Sequence, residues 1–199
     1  MPPRPAATDR APRLQTLPEI ERALWRELER AVHDREHAWR TPVLATGGCD
    51  EVDARIVVLR EAYPEHRELL IYTDARSPKM AQIQARPQGV MVMWHPGLGW
   101  QLRCRVRIEP EVSGLAVSSR WAQLQLTPAA QDYLSPLPPG AALDEAPSQP
   151  PAAPSRELPP RHHFAILSAQ VEAIDWLELH PEGPRRAAFD AQGARWLQP

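Results

Sequence analysis

From Pro42 to Glu109 the chain alternates short apolar runs with turn signals, and this rhythm limits the folds open to it more than any other feature. PVLAT, ARIVVLR, LLIYT, GVMVMW and WQLRCRVRIE are rich in β-branched and aliphatic residues, while GGCDEVD, EAYPEHRE and HPGLG fall between them. Such runs bounded by Gly, Pro and Asp read as antiparallel strands joined by tight turns. The last run alternates almost perfectly: Leu102, Cys104, Val106 and Ile108 take one face, and Gln101, Arg103, Arg105, Arg107 and Glu109 the other. One side of that strand belongs to a core and the other is cationic. FAILSAQVEAIDWLELH, RRAAF and RWL read as further strands, with a turn at Ala191 to Gly193.

Helical signals are fewer. Thr16 and Glu19 form a capping box, with Pro18 in the first turn, ahead of the helical spacing Ile20, Leu24, Leu28, Ala31 and Val32. Ser77 is an N-cap followed by Pro78 at the first helical position, and Arg86-Pro87 ends that short helix. Further helix is predicted at Leu115 to Leu126 and after Thr127-Pro128. Many strands with few helices favour a mainly β fold with flanking helices, closed or nearly closed into a barrel so that strand edges are protected.

The length suits one domain, expected to span residues 16–199 after a flexible N-terminus at 1–15. Many of the 24 prolines fall between Ser135 and Arg161, which reads as a long loop, either a lid or disordered. A net charge of -2 gives no global field to draw the chain onto nucleic acid or an anionic membrane, so any anion site must be local. Cys49 and Cys104 form neither a CxxC pair nor a disulfide framework, and Met1 to Leu17 has no signal-like apolar run; a cytoplasmic protein is expected.

Arg55 and Arg60 bracket Ile56 to Leu59 an odd number of positions apart, so a regular strand would send them to opposite faces; joint action requires a bend. Guanidinium forks suit phosphate oxygens, Lys79 adds a point charge, and Ser77 with the helix start adds donors. Taken alone, these residues read first as solvated surface charge, and a phosphate site is the minority reading. The amide of Gln101 can both donate to and accept from a planar heterocycle.

At these positions the chain resembles the pyridoxamine 5'-phosphate oxidase-like, FMN-binding split-barrel family. Arg55-Ile56-Val57-Val58-Leu59-Arg60 resembles the family's R-x-V-x-L-K/R strand. Tyr72-Thr73-Asp74 with Ser77-Pro78-Lys79 resembles its Y-T-N…S-R-K segment, and Gln101 opens a Q-V-R-V-like strand. Trp176, Arg186 with Phe189, and Trp196-Leu197 with Pro199 resemble its closing pattern. The resemblance implies a split β-barrel that binds FMN, with Arg55, Arg60, Ser77 and Lys79 toward the phosphate. It also implies Tyr72, Thr73 and Gln101 toward ribityl or ring, and the backbone of Ile56, Val57 and Val58 along the flavin face. A two-fold homodimer with FMN at the interface is implied, Trp176 and Arg186 coming from the partner chain. Pro78 stands where the family motif often carries a second basic residue. Glu182 and Pro184 stand where the true oxidases carry the R-x-H that holds their substrate, so the chain is similar to the branch known only for FMN binding.

Two functions follow from this reading. One is an FMN-dependent oxidoreductase working with a small-molecule electron donor or acceptor. The other is a binding module that holds FMN, or haem through His95, His162 or His163, without turnover. The histidines have no carboxylate or cysteine partner at metal-ligand spacing in the sequence.

Overall fold

The computed structural model describes residues 13–48, 52–143 and 163–199. Helix α1 (Leu17–His33) starts as its capping box dictates: the Glu19 amide donates to Thr16 Oγ1 at 3.4 Å, and the Thr16 amide donates to the Glu19 carboxylate at 3.0 Å. Its stripe of Ile20, Leu24, Leu28 and Ala31 is buried. Among the described residues nine strands follow, all paired antiparallel: β1 (Val43–Gly47), β2 (Val52–Ile56), β3 (Leu59–Tyr63), β4 (Glu68–Asp74), β5 (Gln88–His95), β6 (Trp100–Glu111), β7 (Phe164–Glu178), β8 (Arg185–Asp190) and β9 (Gly193–Leu197). Helix α2 (Pro78–Ala85) crosses between β4 and β5, and α3 (Leu115–Leu124) follows β6.

Along the sheet the order is β2-β1-β5-β6-β7-β4-β3, with β8 on β7 and β9 on β8. The two end strands, β2 and β3, are consecutive in the chain and separated only by Val57 and Val58. The sheet therefore curls until its edges meet at that link, yet no ladder joins β2 to β3, and the barrel is open rather than closed. The run ARIVVLR, which the sequence presents as one strand, is thus divided between the two edges, with the Val57 amide turned onto the Pro42 carbonyl at 2.9 Å.

β7 carries a second division. β6 pairs along one edge, while on the other β4 pairs with Phe164 to Gln170 and β8 with Ala173 to Glu178. Between them Glu172 is an extra residue, opposed by nothing in β6. Such a bulge reverses which side chains face inward. Ala165, Leu167, Ala169 and Val171 enter the main core before it, and Ile174 and Trp176 after it. A smaller cluster of Leu70, Val117, Leu124, Tyr133, Phe164 and Ile166 lies beneath α3.

Just ahead of α1 the chain is tied to β7 and β8. Arg13 Nε donates to Glu178 at 2.7 Å, its Nη2 donates to the Gly183 carbonyl at 2.6 Å, and the Leu14 carbonyl accepts from Arg185 at 2.7 Å. The rest of the stretch expected to be flexible, residues 1–12, together with Cys49 and residues 144–161 of the Pro-rich loop, lies outside the described residues. Cys104 is buried in the core, which pushes its thiol up to about 12 and leaves it no nucleophilic role. Among the described residues no helix is long and apolar enough to cross a membrane.

Candidate functional site

A cation-and-hydroxyl cradle forms where β4 runs into α2. Ser77 occupies the N-cap position of α2 but its hydroxyl makes no capping bond. It lies instead 3.3 Å from the Thr73 hydroxyl, and Lys79 Nζ donates to both oxygens at 3.0 Å. Thr73 and Ser77 are buried. Burial pushes the Lys79 amine down from its ordinary range, and Arg55 nearby pushes it further. The positive end of the α2 dipole faces the same spot, although Pro78 contributes no N–H there.

Arg55 reaches this cradle from β2. Its Nη1 donates to Thr46 Oγ1 at 2.6 Å and to the Leu44 carbonyl at 3.2 Å; its Nη2 donates to Gln82 Oε1 at 2.9 Å and to Asp53 Oδ2 at 2.5 Å. Thr46 in turn donates to Gln82 at 2.6 Å. Thr46, Gln82 and Asp53 were not singled out by the sequence. Their local signals are Asp53 two positions before Arg55 on one strand and Gln82 three positions beyond Lys79 on one helix.

Arg60 does not join this group. It is the unopposed residue of a bulge between β3 and β4, and its guanidinium sits 5.5 Å above the Tyr72 ring. Tyr72 and Thr73 are adjacent on β4 and point to opposite faces, so Arg60 with Tyr72 lies across the strand from Lys79 with Thr73. The expected cluster of four thus gathers Arg55, Ser77 and Lys79, with Thr73 in place of Arg60. The Arg60 Nε is buried without a hydrogen-bond partner.

Tyr72 is also committed. Its hydroxyl donates to Glu61 at 2.6 Å, Tyr63 donates to the same carboxylate, and Arg120 grips it in a fork at 2.6 and 2.7 Å. Burial works to raise the Glu61 pKa, but the hydrogen bonds from Arg120, Tyr63 and Tyr72 outweigh it and hold the carboxyl at about 2. A carboxylate depressed from 4.5 to about 2 contributes roughly 3 kcal/mol of stability, complete above the unfolded value and lost as pH falls toward the folded one. Urea unfolding should therefore separate wild type from Glu61→Gln by roughly that amount at pH 7 and by little near pH 2; a gap that does not change with pH would contradict the assignment.

The remaining expected residues lie on the outer face of the sheet or inside it. Gln101 opens β6 between its cross-strand neighbours Trp94 and Leu177, and Arg186 pairs with Leu177 in the same row. Among the described residues the Gln101 side chain makes no hydrogen bond, whereas Arg186 donates to Asp175 at 2.7 and 3.0 Å. Ile56 and Trp94 expose 69% and 45% of their surface on this face, Val57 is buried and Val58 partly so. Trp176, expected to border a partner's cofactor, lies inside this chain. It is 0% exposed and packs edge-on against Trp100 in the core at 5.7 Å, because one residue of register separates it from the outward-facing Leu177.

Folding also assembles a cluster invisible in the sequence. Ligand atoms of Glu27, His37 and His95 all lie within 4.8 Å of one another. Each histidine Nδ1 accepts a backbone N–H, from Trp39 and Leu98 respectively, at 3.1 Å. A neutral ring so held keeps its proton on Nε2, and His37 Nε2 donates it to Glu27 at 2.9 Å. Neither ring offers a free Nε2 lone pair, so the group is read as a hydrogen-bonded brace between α1 and the β5–β6 hairpin. Of the other histidines considered, His163 uses its backbone to join Tyr133 and Ala75, and His162 lies outside the described residues.

Residues 22–109, which include the cradle, match the model of the family described as pyridoxamine 5'-phosphate oxidase, FMN-binding domain. That segment is similar to the family's FMN-binding domain. The fold agrees with it. The pyridoxamine 5'-phosphate oxidase-related, FMN binding protein of Nostoc punctiforme PCC 73102 superposes with a TM-score of 0.68 at 22% identity, over 89% of this chain and 97% of its own. PhzG from Burkholderia lata 383, solved with tetrahydrophenazine-1-carboxylic acid, gives 0.66 at 16% identity over 89% and 91%. A heme binding protein from Mycobacterium smegmatis gives 0.50 at 13% identity over 83% and 58%. A search of curated proteins returned no match. Like these solved neighbours, the chain is built mostly of β structure, an open antiparallel sheet with flanking helices.

Proposed function

We propose that the chain is an FMN-dependent oxidoreductase of unassigned substrate, the FMN phosphate lying in the cradle of Arg55, Thr73, Ser77 and Lys79. The Ser77 hydroxyl carries this reading: at an N-cap it would ordinarily satisfy its own helix, and here it is turned toward Lys79 and Thr73. Two cations and two hydroxyls fit a phosphate dianion. Arg55 would engage two phosphate oxygens, and Lys79 would neutralise charge. Bound FMN would supply a ring that takes up and returns electrons singly or as hydride. Gln101, uncommitted on the outer face, is suited to hydrogen-bond such a ring, and Arg186 in the same row supports a homodimer with the cofactor at the interface. The exposed Ile56 and Trp94 are consistent with that face being covered by a second copy.

A non-catalytic FMN carrier of the same fold is the second reading. A haem carrier is disfavoured at His95, whose Nε2 keeps its proton. FMN added to the purified protein should lose fluorescence saturably, and reduced nicotinamide should then bleach the bound flavin without oxygen. Indifference to FMN would overturn the proposal; a bound flavin that no reductant bleaches would support the carrier instead.

A further inference from the structure

We propose that Asp53 is a built-in competitor for the phosphate site, a carboxylate that holds the place of the incoming anion and sets how tightly phosphate-bearing ligands bind. The inference rests on the FMN reading above. Arg55 is held on its protein side by Thr46, the Leu44 carbonyl and Gln82. Asp53 takes the remaining Nη2 direction from the solvent side: its side chain is 51% exposed and that of Arg55 20%. Its Oδ2 is also 3.5 Å from Gln82 Nε2, and its charge acts on Lys79 as well as on Arg55. One carboxylate therefore serves both cations of the cradle.

An arriving phosphate meets that carboxylate in two ways. It repels it as a like charge, and it needs the Nη2 donor that Asp53 engages. Removing the Asp53 charge does not release Arg55, because three other acceptors still fix the guanidinium. Asp53 is thus a residue that acts through Arg55, and its effect should fall only on ligands that carry an anion at that end.

FMN and riboflavin, which differ in the phosphate, are titrated into wild type and Asp53→Asn by flavin fluorescence quenching. Asp53→Asn is expected to bind FMN about fivefold more tightly, the scale of one partly exposed ion pair, and riboflavin as wild type does. Unchanged or weaker FMN binding by the variant would overturn the inference while leaving the cofactor assignment in place, as would an equal gain for riboflavin. If neither protein binds FMN, the cofactor reading fails and this inference fails with it.

Discussion

Replacing Arg55 and Lys79 together by alanine is expected to weaken FMN binding at least about 100-fold, since each charge-assisted hydrogen bond to phosphate is worth about 1.5–3 kcal/mol. The domain should still fold. Thr46 and Gln82 keep their own hydrogen bond when Arg55 is removed, and Lys79 leaves behind a Thr73–Ser77 pair that already interacts. This double variant leaves Arg60, which lies across β4, untouched. Fluorescence titration of FMN with circular dichroism of the unliganded variant reads both parts. Binding within threefold of wild type, with the fold intact, would remove the phosphate from this cradle.

The largest effect on stability is expected at Glu178. This carboxylate is buried at the end of β7 and accepts from Arg13 at 2.7 Å, from Arg185 at 2.9 Å and from Trp100 Nε1 at 3.3 Å. Burial favours its protonation, but the bonds from Arg13 and Arg185 prevail and lower its pKa. Arg185 itself lies 5.7 Å from both the Trp176 and Trp196 rings, so the carboxylate joins the N-terminal segment, β8 and the tryptophan core. Glu178→Ala strands an arginine and an indole N–H in a poorly solvated site, a loss of about 3–5 kcal/mol for a broken buried pair. Denaturant unfolding should show that loss, and Glu178→Gln, which keeps an acceptor for Trp100, should lose less. A variant as stable as wild type would mean that the network is not coupled to folding.

Much of the scaffold was legible in the residues. The capping box of α1, the N-cap position of α2 and the alternation of β6 are local patterns, and local hydrogen bonding or pleating is enough to enforce them. The same holds for Ser77 and Lys79, which share one turn with Thr73 just before it. Of the partners of Arg55, Asp53 shares its strand, but Thr46 and Gln82 were not legible because they come from two other elements. Nor was the brace of Glu27, His37 and His95, whose members are far apart in sequence and meet only after α1 packs beside the β5–β6 hairpin.

By itself, then, the sequence determined a mainly β domain, the positions of its strands and helices, and a set of cations and hydroxyls suited to phosphate. Tertiary structure alone decided which of them meet. The break at Val57–Val58 sends ARIVVLR to both sheet edges, the bulge at Arg60 aims its guanidinium at Tyr72, and the bulge at Glu172 reverses the phase of β7. Side-chain direction in a strand has a period of two, so one inserted or unpaired residue moves every later side chain to the other face. That single-residue shift is fixed by the neighbouring strands, which is why Trp176 lies in the core and Arg186 faces out with Gln101.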